Sequence, residues 1–239
     1  MAKRLSTAEP RFEGFADREA RFFKALARNQ NRDWFQAHRR EYEEGWLEPM
    51  KMLLAEVRER IDGFFAQHPL AEPKVFRIYR DVRFSKDKSP YKTHIGGYIR
   101  VASGSDAGGD GPAATAPLYL HIGAGEIFVC AGHYMMDPEQ LARFRAAVVD
   151  DVRGKRLASV LSTLARAGFA AGSHETMKKV PRGVDPEHPR ADLLRRKGLI
   201  VTFPELPRRL LVSRDLVPWL VGHTKRVVPL IEWLAAVGD

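Results

Sequence analysis

Lys74, Arg77, Arg80, Arg83, Lys86, Lys88 and Lys92 crowd into the stretch 74–94, with only Asp81 and Asp87 to oppose them. The arginines come first and the lysines follow. A guanidinium offers a planar fork of donors that matches phosphate or carboxylate, whereas an ammonium acts as a mobile point charge. An arginine-bearing segment feeding a lysine-rich loop is therefore a way to hold an anion. In this reading Arg77, Arg80 and Arg83 orient the ligand, and Lys86, Lys88 and Lys92 attract and cover it. Asp81 holds the arginines, Asp87 belongs to the same charged set, and Tyr91 is a polar group beside the ligand. The bland alternative is a lattice of ion pairs that keeps an exposed edge soluble.

Histidines supply the groups that could move a proton. His121 alternates with Leu120 and Ile122, so it points with Tyr119 away from the apolar side of its strand. In an antiparallel sheet the same face would present Arg77, Tyr79, Asp81 and Tyr98. Positive neighbours lower an imidazole's affinity for a proton, which suits His121 or His94 to general acid–base work. Lone strand histidines are, however, commonly hydrogen-bonded spectators. The tract "KKVPRG" at 178–183 is a second basic loop, whose Lys179 and Arg182 could join the same site. His94, His121, His133 and Glu126 lack metal-ligand spacing and sit among cations, so neither a metal nor another cofactor is expected. Cys130 lies in the apolar run "FVCAG" and reads as a small buried hydrophobe, not a nucleophile.

Three blocks of elements must position these residues. The first is helical: Phe15, Phe22, Phe23 and Leu26 recur at helical spacing, and Asn31 can cap a second helix carrying Phe35, His38, Tyr42 and Trp46. Pro49 suits the first turn of a third, with Leu53, Val57, Ile61 and Phe64 on one face. The period then changes to two. In "KVFRIYRDVRF" Phe76, Ile78, Val82 and Phe84 share one side of a strand, with Arg80 intruding among them. "HIGGYIRVA", "APLYLHIGA" and "EIFVCAGHYM" follow as strands, and 103–114 reads as a flexible glycine-rich surface loop. Helices return with the capping sequence Asp137, Pro138 and Gln140, then Leu157 to Leu164 stopped by Gly168, then "RADLLRRK" ending at Gly198. "LIVTF" adds a strand, and Pro218 and Pro229 punctuate a C-terminal helical segment. Strands in succession without crossover helices imply an antiparallel sheet. The expectation is a single α+β domain over 12–237, its central sheet flanked by N-terminal and C-terminal helices.

The chain has 239 residues and a net charge of +9, which favours anionic partners: a small anionic molecule first, nucleic acid second. One cysteine excludes an intrachain disulfide. "MAKRLSTAEP" has no apolar run behind it, and no segment has the length of a membrane span, so a cytoplasmic protein without a membrane partner is expected.

Taken in order, "NRDWF" (31–35), "RIYRDVRFSKDKSPYKTHIGGY" (77–98), "YLHIGAGEIFVCAG" (119–132), "PRG" (181–183) and "LLRRKG" resemble the bacterial and fungal family called domain of unknown function 2461. The similarity runs from about Phe12 to Leu234. It implies one α+β domain with its signature on Arg77, Arg80, Asp81, Arg83, Phe84, Ser85, Lys86, Asp87, Lys88, Pro90, Tyr91 and Lys92, and it implies no activity. Gln30 stands where an asparagine is usual, Val184 where an aromatic is usual, and Cys130 where a small residue is expected. Three functions remain open on these residues. One is an anion-binding protein with or without acid–base catalysis, one a nucleic-acid clamp stacking bases on Tyr79, Tyr91 and Tyr98, and one a scaffold in which the motif holds the fold.

Overall fold

The computed structural model describes residues 11–65, 67–102 and 115–238. The glycine-rich loop expected at 103–114 lies outside them. Helix α1 (Arg21–Arg28) buries Phe22, Phe23 and Leu26. Asn31 caps α2 (Arg32–Ala37) by accepting the N–H of Trp34. Pro49 falls in the first turn of its helix, as its type suits, but that helix does not start afresh. Instead α3 (Arg39–Tyr42) runs through one wide π turn, Glu43–Leu47, into α4 (Glu48–Ile61). Pro49 has no N–H to return to the carbonyl of Gly45. That carbonyl accepts the N–H of Ala16 at 3.1 Å instead. The turn thereby ties the N-terminal segment down beside the buried Trp46, on which Phe15 stacks at 5.5 Å.

Alternation builds the sheet. Strands β1 (Lys74–Val75), β2 (His94–Ile99), β3 (Thr115–Gly123), β4 (Ile127–His133), β5 (Ala170–Gly172) and β6 (Leu199–Thr202) form one six-stranded sheet in the order β1-β2-β3-β4-β6-β5. Every pairing is antiparallel. Ile95, Ile99, Leu120, Ile122, Val129, Ala131 and Val201 turn to the inner face and are buried. There α4 packs on β2, and the C-terminal helix α8 (Leu216–Gly238) packs on β3 and β4. Gly97 permits the close approach, since a Cβ there would lie 2.6 Å from Leu54 Cδ1. Gly96 does the same for the outer face, where a Cβ would meet the Tyr119 hydroxyl at 2.8 Å.

The C-terminal half follows its local signals. Asp137 and Gln140 complete a reciprocal capping box at α5 (Pro138–Val149). Asp150 caps α6 (Asp151–Arg166), and Gly168, at φ 86°, turns the chain after it. A short α7 (Ala191–Leu194) precedes β6. Pro229 does not divide α8, which continues through it. Buried Val227, Leu230, Ile231 and Leu234 hold that helix on the core by packing, which outweighs one missing hydrogen bond. One hydrophobic core runs from Phe12 to Val237. Among the described residues no helix is long and apolar enough to cross a membrane.

The expected strand over 76–84 is corrected. β1 stops at Val75, and after the N–H of Phe76 bonds to the Gly96 carbonyl at 2.9 Å the chain leaves the sheet. A narrow ladder continues off its edge: Lys92 N–H donates to Ile78 at 2.8 Å and Arg80 N–H to Pro90 at 2.9 Å. Pro90 has no N–H to give back, so the ladder ends there. Ile78 alone of the four alternating apolar residues is buried, and Phe84 is bare.

Phe35 is buried and stacks on Tyr91 at 4.4 Å, fastening this loop to the N-terminal helices. Phe35→Ala is expected to cost about 3–5 kcal/mol of stability. Asp137→Ala, which removes only the cap of α5, is expected to cost about 1 kcal/mol. Urea midpoints of the two variants check the order, and a reversed order overturns this account.

Candidate functional site

The motif at 77–94 splits into a buried base and an exposed tip. At the base the Tyr91 ring is buried, and its N–H donates to the Gln30 side-chain oxygen at 3.1 Å. Tyr91 is therefore first an anchor for the loop, and the amide of Gln30 does its work from a longer side chain than asparagine's. At the tip the charges pair with one another. Arg80 forms an ion pair with Asp87, while Asp81 takes Arg83 through Nε at 3.0 Å and Nη2 at 2.7 Å. Asp87 also accepts the N–H and hydroxyl of Ser89, at 2.9 and 2.6 Å. Lys88 Nζ donates to the Val82 carbonyl at 2.9 Å. Hydrogen bonds from Arg83 hold the Asp81 carboxyl at about 2. Those from Arg80 and Ser89 hold Asp87 well below the usual carboxylate range. Asp81 thus hydrogen-bonds Arg83 and attracts Arg77 at longer range, while Arg80 answers to Asp87. Arg77 and Lys86 are exposed and make no ion pair among the described residues.

The outer face of the sheet is organised differently. Register pairs Tyr98 with Tyr119, Tyr119 with Cys130, and His121 with Phe128, so these side chains share one face. With Phe76 from the loop base and Arg100, four of them (Tyr98, Tyr119, Phe128 and Cys130) line a cavity of about 330 Å³. Lys92 sits with Nζ 5.2 Å from the Phe76 ring centroid, a cation–π contact. At the neighbouring end His94 stacks on His121 at 4.2 Å, and His121 on Phe128 at 4.7 Å. Tyr119 Oη and His121 Nδ1 are hydrogen-bonded at 3.0 Å, which leaves Nε2 facing Glu126 at 3.9 Å.

Burial lowers both imidazoles to about 4, and His94 is lowered further by His121 and Lys92. Both rings are therefore neutral at neutral pH, and each retains one nitrogen lone pair to accept a proton or hydrogen bond. Burial also pushes the Tyr119 phenol up and the Cys130 thiol up to about 12. Cys130 lines the cavity as a thiol, as its reading as a small buried residue requires. His133 is buried apart from this pair, bonded through Nδ1 to the Thr115 hydroxyl at 3.0 Å. Among the described residues no three His, Cys, Asp or Glu side chains are grouped to hold a metal ion.

His121, His94, Tyr119 and Tyr98 thus come together as alternation requires. Arg77, Tyr79 and Asp81 do not join them, because the chain has left the sheet. Lys179 and Arg182 do not join them either. They line a second hollow of about 650 Å³ with Lys178, Pro181, Asp192 and Arg195, which shares no residue with the sheet-face cavity. That hollow is shaped by a tight turn in which Val184 N–H donates to Pro181 and Gly183 takes φ 85°. Phe76 and Phe128 are cavity residues that residue type alone did not mark. Phe128 could have been placed from the alternation of β4, whereas Phe76 depends on where β1 ends.

A six-stranded antiparallel sheet with helices on its inner face and a tyrosine- and histidine-bearing outer face defines an α+β protein with one sided cavity. The family model described as conserved hypothetical protein (DUF2461) matches residues 19–233, and the chain belongs to that family. No curated protein matches the chain.

Because the folded imidazoles bind protons more weakly than the ordinary value of 6.5, the unfolded chain takes up more protons as pH falls from 6.5 toward about 4. Stability is unaffected above that window and falls within it, by up to about 1.4 kcal/mol per pH unit for each ring. His94→Gln with His121→Gln is expected to flatten the fall, measured as the urea midpoint against pH. Parallel curves for variant and wild type would remove these histidines as its source.

Proposed function

We propose that the outer face of the sheet binds a small organic anion with a flat or apolar body, with acid–base chemistry available at one end. The observation that carries this is the cavity of about 330 Å³ walled by Phe76, Tyr98, Tyr119 and Phe128 next to two stacked, neutral imidazoles. Apolar walls with a few convergent polar groups are the usual make-up of a ligand site. Arg100 on the wall and Lys92 over Phe76 supply positive charge for a carboxylate or phosphate. With His121 Nδ1 held by Tyr119, Nε2 is the nitrogen that exchanges a proton with the ligand. The ion pairs at the tip of the 77–94 loop support the scaffold reading for that part of the motif alone. They commit Arg80 and Arg83 to Asp87 and Asp81.

Ala116 lines the cavity, and Ala116→Leu narrows it without removing a core side chain. A thermal-shift panel of aromatic and aliphatic carboxylates and phosphates is the test. A compound at about 100 times its dissociation constant adds about 2.7 kcal/mol to the wild type. The shift is expected to vanish in Ala116→Leu and to survive moderate salt. If no compound shifts the wild type, or Ala116→Leu responds equally, the cavity is not the site.

A further inference from the structure

Phe84 is 95 % exposed, more than any other large hydrophobic side chain described. A loose loop would fold such a ring against its own stem. This loop is cross-linked from within, by the pairs Arg80–Asp87 and Arg83–Asp81 and by the Lys88 bond to the Val82 carbonyl. Its base is fastened by Gln30 and Phe35 to Tyr91. The ring therefore stands outward on a pre-shaped tip, with the Arg83 guanidinium 5.8 Å from its centroid. Tyr79, in the same loop, is 48 % exposed. Arg77, Lys86 and Lys88 are exposed in the same loop and make no direct ion pair among the described residues, with Arg77 in longer-range attraction to the Asp81 carboxylate.

Bare rings and exposed cations in one loop are the two halves of single-strand recognition: bases stack on the rings while phosphates meet the cations. We infer that the tip of this loop binds single-stranded nucleic acid, with Phe84 stacking on a base and Arg77, Lys86 and Lys88 contacting phosphates. A duplex keeps its base faces inside the stack, so the ring has nothing there to cover. An anionic bilayer is the rival partner, but one phenyl between Arg83 and Ser85 offers it little apolar area. Residues 82–88 do not line the sheet-face cavity, so this site stands independently of the anion site proposed there.

Fluorescence anisotropy with a labelled oligothymidylate of about 12 nucleotides, titrated over a range of salt, tests it. Three phosphate contacts give a slope of log affinity against log salt near about −2. Phe84→Ala is expected to weaken binding roughly 5- to 150-fold with the slope unchanged, and Phe84→Trp, but not Phe84→Leu, to restore it. Arg77→Gln and Lys86→Gln are each expected to make the slope shallower by about 0.7. Phe84 is exposed, so its variants should melt with the wild type, and a loss of affinity then reports stacking. Ala116→Leu should bind the oligonucleotide as the wild type does. The inference is overturned by any of four results: no saturable binding at low salt, equal affinity in Phe84→Ala, equal affinity for a duplex of the same length, or binding to phosphatidylserine vesicles that Phe84→Leu preserves.

Discussion

A β-strand turns successive side chains to opposite faces, and in β2, β3 and β4 that constraint decides what every later residue can do. The inner set is Ile95, Ile99, Leu120, Ile122 and Val129, all buried under α4 and α8. The outer set is His94, Tyr98, Tyr119, His121, Phe128 and Cys130, brought side by side by the register. The paired glycines of β2 sharpen the division. Gly97 lets α4 approach on one side, and Gly96 lets the Tyr119 hydroxyl lie flat on the other. A shift of one residue in β2 would exchange these roles and place His94 and Tyr98 against the core.

Charge follows a different logic from burial. The pairs in the 77–94 loop lie in solvent, where ion pairs add little to stability. Their effect is on shape: each links residues two to seven positions apart, so the loop closes on itself instead of reaching for the sheet. The contacts at its base do the opposite, joining Tyr91 to Phe35 by ring stacking and to Gln30 by a hydrogen bond across a long stretch of sequence. Local charge shapes the loop, and distant packing places it.

This contrast explains how far the sequence could be read. Short apolar and alternating runs marked β2, β3, β4 and β6, and Asn31, Asp137 and Gly168 marked helix ends, because each signal is local and complete within a few residues. The alternation in 76–84 was equally plain and failed, because a strand also needs a partner with N–H groups to offer, and Pro90 withholds one. Pro229 misled in the other direction: it was read as punctuating the C-terminal helix, yet packing carries α8 through it. Pro49 was rightly placed in a first turn, but that turn continues from α3, with the freed Gly45 carbonyl re-used by Ala16. His121 was legible as an outward residue, but its stacking on His94 depended on a register no single strand reveals. Likewise nothing local told that Lys179 and Arg182 would line a hollow of their own.

The two residues of β1 and the three of β5 leave the sheet with very short borders. A long border would be a row of unmet N–H and carbonyl groups, ready to accept a strand from another molecule. On the β1 side the chain peels away into a proline-stopped, cation-rich loop, which repels a second copy of itself. The feature that ended the expected strand therefore also limits the sheet's growth, and it bears on how the protein behaves at high concentration. The cost of a shorter sheet is set against resistance to edge-to-edge aggregation.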